Sequence, residues 1–411
     1  MTTARTRIGG RTFDWQILLI VLALVAFGVA MVYSATHIPS SPGRANLWRS
    51  QILWAMLGLT VATIGALVPY RVFETFAHIL YAGSVFLLLL VPVIGVSEYG
   101  AKRWLDFGGF NFQPSEPAKI LTVLMLARYL DRKRLDLTRP AEVMGAVGIM
   151  LLPWFLIVRQ PDLGTSLSLP VAAAAMLYWA GLPAYILLLT ATPLISMITS
   201  LWMWIWVPYI LALFGAMRLF RAPRLMMVAV LLVNIGLGLA TPHIWNHLKP
   251  YQRERVHTFL DPNRDRSGSG YQIIQSRIAI GSGGAFGKGY MEGTQKALAF
   301  LPMQHTDFIY SVVGEEFGFI GTTGVLLLLG GLIIRGFWVA GRARNRFASL
   351  LAVGIATTFL FHTLVNTAMT AGMAPVTGIP LPFISYGGTF MITCLFQAGL
   401  LLNVAIRRNE Y

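Results

Sequence analysis

The sequence predicts an all-α fold, a polytopic bundle of membrane-spanning helices, and three observations carry that prediction. Charged residues make up 12% of the 411 positions and hydrophobic residues 56%, with a mean hydropathy of +0.65, whereas a soluble domain is about 25% charged. The apolar residues gather into runs of about 17–25, the length that carries a helix across roughly 30 Å of hydrocarbon. Most Lys and Arg residues cluster in the gaps between the runs, as they do where orientation in a bilayer is encoded.

Taken in order, the runs cover 16–36, 51–69, 76–96, 117–130, 141–158, 165–181, 183–201, 202–220, 222–245, 307–334, 347–371 and 383–405. The first is longer than the apolar segment of a usual signal peptide and is closed by no A-x-A-like site, so it reads as a retained anchor. The run at 117–130 is short. The division of 183–220 into two spans rests on the brief Ser200–Leu201–Trp202 stretch and on charge. Basic clusters occur at Arg5/Arg7/Arg11, Arg128–Arg139, Arg218–Arg224, Arg335–Arg346 and Arg407/Arg408. With twelve spans and the N-terminus inside, all five fall on the cytoplasmic side. Removing 202–220 would put the last two on the wrong side. Both termini are therefore expected in the cytoplasm. With no low-complexity linker and no repeat evident, residues 1–411 are expected to form one membrane domain.

Other readings of the composition fall away. The net charge of +15 is explained by the inter-span clusters, so nucleic acid is not an expected partner. The single cysteine, Cys394, lies inside an apolar run; it has no intrachain disulfide partner, and one cysteine makes no thiolate metal site.

The charge rule breaks in the outer loops. The large extracytoplasmic loop near 246–306 carries eight basic residues and four acidic ones (Glu254, Asp261, Asp265 and Glu292). Long loops cross a membrane whatever their charge, which is the structural reading. The functional reading is that cations gather there to hold an anion. The outer loop at 97–116 points the same way, with Lys102, Arg103, Asp106 and Glu116 around Trp104. Two basic loops on one face would suit an anionic lipid headgroup or a diphosphate. Gly281, Gly283, Gly284, Gly287 and Gly289 crowd one stretch of the larger loop, fitting either a phosphate cradle or a re-entrant turn packed on helices.

Ionisable residues in or beside the spans add candidates. Glu116 and Lys119 lie three apart at the outer end of a span, hence on one helical face. They form either a packing ion pair or part of a binding site. Asp162 sits between spans in Arg159-Gln-Pro-Asp-Leu-Gly-Thr165, and His305, Asp307, Glu315 and Glu316 stand at the start of another. Charge inside a membrane is costly and defaults to a functional hypothesis.

Four stretches, spread over nearly the whole chain, resemble the SEDS family (shape, elongation, division and sporulation). They are Lys102-Arg-Trp-Leu-Asp-Phe-Gly108 with Gln113-Pro-Ser-Glu-Pro-Ala-Lys119; Gln160-Pro-Asp-Leu-Gly-Thr-Ser166; the series from Tyr251-Gln-Arg-Glu-Arg255 through Asp261-Pro-Asn-Arg-Asp265, Gly270-Tyr-Gln272 and Ile280-Gly-Ser-Gly-Gly284 to His305-Thr-Asp-Phe308; and Pro375-Val-Thr-Gly-Ile-Pro-Leu-Pro-Phe383 with Ser385-Tyr-Gly-Gly388. The match is closest to the elongation branch. Two departures stand out. The family core has ten spans, so an inserted hairpin within 183–245 is expected to bring the count to about twelve. Phe390 stands where a small residue is expected.

The resemblance implies a peptidoglycan glycosyltransferase of the bacterial inner membrane. Such an enzyme polymerises lipid II into glycan strands during cell elongation and releases undecaprenyl diphosphate. It implies Asp265 as the catalytic carboxylate, with Asp261 the second choice because it precedes Pro262, a setting suited to capping a turn. An unperturbed carboxyl near pKa 3.9 is a weak base, so burial or bound substrate must raise its basicity. Lys102, Arg103, Lys119, Arg253 and Arg255 are candidates to neutralise the diphosphate, with Glu116, Asp162 and Gln272 as further substrate-binding positions. A divalent cation, Mg²⁺ or Mn²⁺, would do similar work, but no ligand spacing marks one. A class B penicillin-binding protein is the implied partner. The rival is a lipid II flippase, which predicts its important charges near the bilayer midplane; here they gather toward one face.

Overall fold

The computed structural model describes residues 7–8, 11–37, 46–98, 101–108, 110–132, 135–220, 223–247, 253, 258, 261, 268–297 and 303–408. Each of the twelve predicted spans finds a helix: α1 Trp15–Thr36, α2 Leu47–Leu67, α3 Tyr70–Ile94, α4 Ser115–Leu130, α5 Pro140–Arg159, α6 Leu163–Trp179, α7 Ala184–Thr199, α8 Met203–Leu219, α9 Arg224–His247, then α12 Ile309–Arg342, α13 Arg346–Thr370 and α14 Gly388–Ile406. Between α9 and α12 lie the shorter α10 Ser269–Ser282 and α11 Thr294–Ala297, so the segment read as an outer loop contains regular structure. Among the described residues, eight helices are long and apolar enough to cross a membrane. Of the remaining four, α7 and α8 are apolar but only 16 and 17 residues long. The described chain forms two compact units, 1–180 with 261–411, and 181–260.

In the larger unit, helix composition sorts centre from periphery. Buried residues make up 83% of the apolar stretch of α14 and 72% of that of α13, but only 22% of that of α2 or α5. The outer helices turn large side chains such as Leu53, Leu57 and Phe155 outward, as lipid-facing surfaces do. α4 is short because it is an inner helix: most of its residues are buried, Glu116 and Lys119 included, so it need not present an unbroken apolar surface. Helices α2 and α14 pack along each other. A Cβ on Gly399 would lie 2.2 Å from the Ala62 carbonyl, the close approach that small residues give membrane helices.

A small antiparallel sheet links α3 to α4. Its strands are Val96–Glu98, Ala101–Asp106 and Asn111–Phe112.

The glycine-rich stretch has a defined role. α12 is broken at Gly318 (φ 62°, ψ −155°), and the 284–289 turn fills the break. Lys288 N donates to the Glu315 carbonyl (3.0 Å) and Gly289 N to that of Glu316 (3.1 Å), while Phe319 N and Ile320 N donate to the carbonyls of Gly284 (2.9 Å) and Ala285 (3.1 Å). Backbone groups freed by the break are thereby satisfied inside protein, the condition for irregular backbone at membrane depth. Gly287 (φ 81°) has no room for a side chain, since its Cβ would lie 2.1 Å from the Glu316 carbonyl. Of the two readings open from the sequence, the packed turn holds.

The smaller unit is built from α7, α8 and α9. Asn234 on α9 is buried, with Nδ2 donating to Thr192 Oγ1 at 2.9 Å and Oδ1 accepting from Tyr209 at 3.2 Å. Trp206 donates to Ser196 Oγ, whose hydroxyl donates to the Asn234 carbonyl.

Candidate active site

The site begins with the start of α4. Glu116 lies in its first turn, favourable for a carboxylate at a helix N-terminus, and Lys119 one turn on shares its face. Each is only 2% exposed. Lys119 Nζ lies 2.9 Å from Glu116 Oε2 and 3.1 Å from Oε1. A third residue completes the cluster: His362 Nε2 on α13 lies 3.1 Å from Lys119 Nζ. Its Nδ1 lies 3.2 Å from the Pro380 carbonyl. A carbonyl only accepts, so the proton sits on Nδ1 and Nε2 presents its lone pair to the ammonium. Phe390 covers the group, stacked on the His362 ring with centroids 5.2 Å apart and 5.6 Å from Lys119 Nζ. The large residue at 390, a departure from the family pattern, thus roofs the charges.

Asp162 adjoins this cluster through the segment leading into α4. Gln113 Nε2 donates to Asp162 Oδ2 at 3.0 Å, and Asp162 Oδ1 caps α6 by accepting from Thr165 N at 3.2 Å. Arg103, on the middle strand of the sheet, donates through Nε to the Gln160 carbonyl at 3.2 Å and through Nη2 to that of Pro161. Its structural work is to hold the Gln160–Asp162 turn, where Pro161 has a positive φ. Gly164 fits the same turn against the 375–383 stretch, since a Cβ there would lie 2.7 Å from the Thr377 carbonyl.

The last motif is tied into the same region. Ser385 Oγ accepts from Leu381 N (2.8 Å) and donates to the Thr306 carbonyl (2.7 Å), and Tyr386 N donates to the His305 carbonyl (2.9 Å). Asn366 Nδ2 donates to the carbonyls of Asp307 (2.9 Å) and Ile379 (2.7 Å). The first, second and last stretches and the described 305–308 end of the third therefore meet through specific hydrogen bonds.

Of the residues singled out from sequence, Glu116, Lys119, Asp162 and Arg103 come together. Lys102 is exposed on the sheet, and Gln272 is half-buried in the first turn of α10. Arg253 is in the smaller unit, its Nη2 donating to the Asn246 carbonyl. Asp261 is exposed. Asp265 and Arg255 lie outside the described residues. His362 and Asn366 are not marked by the sequence reading, although a lone histidine within the 347–371 run is itself an ionisable residue in a span; Gln113 is marked there only as the head of a motif.

Among the described residues no group of three or more His, Cys, Asp or Glu side chains could hold a metal ion. Asp162 and Glu116 are engaged by protein donors.

The fold and site define a polytopic membrane protein with a dry, paired charge cluster set beside a polar turn. The chain belongs to the cell cycle protein family of FtsW, RodA and SpoVE, whose profile matches residues 14–217 and 209–410. It is 37% identical to the Escherichia coli K12 protein named peptidoglycan glycosyltransferase MrdB, over 96% of this chain and 94% of that protein. It is 34% identical to peptidoglycan glycosyltransferase RodA of Treponema pallidum, over 97% and 99%. Among solved structures it resembles a chain of a peptidoglycan synthase complex described as coordinating polymerization and crosslinking, with TM-score 0.73, 32% identity and coverage of 97% and 99%. It also resembles the rod shape determining protein RodA of Thermus thermophilus, with TM-score 0.64, 27% identity and coverage of 97% and 98%.

Proposed function

We propose that this chain is a peptidoglycan glycosyltransferase that polymerises lipid II. The observation that carries the reading is that full-length similarity to enzymes of that name coincides with convergence of the dispersed motifs on the Glu116–Lys119–His362 cluster and the Asp162 turn. In the proposed reaction a carboxylate, Asp265, takes the proton of the acceptor sugar's 4-hydroxyl. The oxygen attacks the donor's anomeric carbon and forms the new glycosidic bond. The bond from that carbon to the diphosphate oxygen breaks, and its electron pair leaves with undecaprenyl diphosphate. Lys102, Arg253 and Arg255 are the proposed counter-charges for the diphosphate. Lys119 already shares its protons with Glu116 and His362, so its proposed part is to fix the charge and shape of the site wall.

On this reading both termini face the cytoplasm and the chemistry occurs at the opposite face of the bacterial inner membrane. A class B penicillin-binding protein is the proposed partner, crosslinking the strands as they form, and cell elongation is the proposed setting.

The test is lipid II polymerisation by wild type and Asp265→Asn, each reconstituted with a transpeptidase partner that makes no glycan of its own. Glycan from the wild type, reduced at least 100-fold in a monodisperse, partner-bound Asp265→Asn protein, is the expected outcome for loss of a general base (about 10²–10⁴-fold). Unchanged polymerisation by the variant would remove Asp265 from that role. Wild-type protein that moves lipid II across vesicles but makes no glycan would replace the enzyme reading with transport.

A further inference from the structure

A second site lies at the basic end of α12, away from the Glu116–Lys119–His362 cluster. Three guanidinium groups converge on one indole: the Cζ atoms of Arg335, Arg342 and Arg408 lie 3.8, 4.0 and 5.2 Å from the centroid of the Trp338 ring. Arg335 and Arg342 are three residues before and four after Trp338, hence on its helical face. Asp14 caps α1 and takes Nε (3.0 Å) and Nη2 (2.8 Å) of Arg335 through its Oδ2. That pairing leaves Nη1 of Arg335 outside the contact, and Arg342 is exposed. Like charges packed this closely repel one another, and an anion placed among them relieves the repulsion.

Of these residues Arg335 and Trp338 also head an open groove of about 510 Å³ between α1 and α12, within the usual range of ligand sites, about 300–1,000 Å³, and Arg342 reaches the same indole from beyond its end. Its floor is apolar, with Gly331 facing Ile20: a Cβ there would lie at ordinary contact distance, 3.6 Å, from Ile20 Cδ1. Leu19 and Ile334, 61% and 71% exposed, form its outward edges. From Gly331 to Trp338 the groove runs about 10 Å along the helix, oily at one end and cationic at the other, with Gln16 beside the charges. An interfacial tryptophan and basic residues between transmembrane helices are the features that recognise a lipid headgroup.

We propose that this groove binds an anionic phospholipid of the surrounding bilayer, its phosphate held by Arg335 and Arg342 beside Trp338 and the start of an acyl chain laid between Leu19 and Ile334. A zwitterionic lipid would fill the groove equally well but would not answer the excess of cations at its head. The site concerns lipid association alone and does not depend on the reaction proposed above.

The test uses the full chain and two probes, phosphatidylglycerol and phosphatidylcholine, with lipid retention counted by native mass spectrometry. Wild type is expected to retain phosphatidylglycerol preferentially. Arg342→Gln, which removes an exposed charge, is expected to weaken that retention about fivefold, the effect of one basic residue near a charged surface, while leaving phosphatidylcholine unchanged. A photoactivatable phosphatidylglycerol is expected to label wild type within 16–20 or 331–338, which needs no variant to fold. Equal retention of the two lipids, an unaltered Arg342→Gln protein, or labelling confined elsewhere would overturn the assignment. So would a single-span partner helix that crosslinks to Leu19 and Ile334 and excludes the lipid label, because the groove would then be a protein interface.

Discussion

Replacing Lys119 with methionine keeps the length of the side chain and removes its charge. The Glu116 carboxylate would then remain 2% exposed with its cation gone, and His362 Nε2 would lose its donor. Breaking a buried pair from one side costs about 3–5 kcal/mol, because the remaining ion keeps its desolvation penalty without the attraction. Removing both charges as Glu116→Gln/Lys119→Met should bring stability back to within about 1–2 kcal/mol of wild type, as apolar or neutral replacement of buried pairs often does. Thermal unfolding in one detergent, followed by loss of the monodisperse chromatographic peak, orders the three proteins. Polymerisation of lipid II by the same preparations separates packing from chemistry. The expected result is recovered stability without recovered activity in the double variant. A Lys119→Met protein as stable as wild type would refute the energetic argument. A double variant with wild-type activity would show that the pair is scaffold alone.

Three further substitutions test how the site is held. Gly287→Ala places a Cβ at positive φ and 2.1 Å from the Glu316 carbonyl, so it should destabilise by more than the roughly 1–2 kcal/mol of the left-handed conformation itself. Gly281→Ala, where a Cβ meets nothing within 4 Å and the backbone is helical, should be neutral or stabilising by up to about 1 kcal/mol in the same melt. Arg103→Gln removes charge-assisted hydrogen bonds to the Gln160 and Pro161 carbonyls and should cost about 1.5–3 kcal/mol. It should also lower polymerisation through the displaced Asp162 turn, whereas unchanged melting and activity would deny it that positioning role.

The helices were legible because membrane spans are written locally, in run length and in the charge between runs. Even the disputed division at 200–202 appears as the turn between α7 and α8. The Glu116–Lys119 pair was legible for the same reason, since spacing of three fixes a shared helical face. His362 was not, because its partners are the Lys119 ammonium 243 residues away and the Pro380 carbonyl, and nothing in an apolar run foretells either. The glycine stretch was half legible: its composition announced unusual backbone, but its use depends on hydrogen bonds to the break at Gly318, contacts that no periodicity encodes. The charge of Arg103 marks it as a candidate for substrate, and the structure gives its Nε and Nη2 groups to two backbone carbonyls. A cation's residue type identifies what it could neutralise, and only its surroundings decide what it does hold.

The same constraint of internal satisfaction shapes the smaller unit, because an amide left alone in hydrocarbon costs several kcal/mol. Asn234 is such a group, fully buried, and α7 and α8 supply its partners: Thr192 Oγ1 accepts from its Nδ2, and Tyr209 donates to its Oδ1. Gly238, one turn along α9, leaves the space that the Trp206 ring fills, which lets that ring reach Ser196 and close the network. The three helices thus carry within themselves both the polar demand and its answer, the condition under which polar side chains are tolerated in apolar helices.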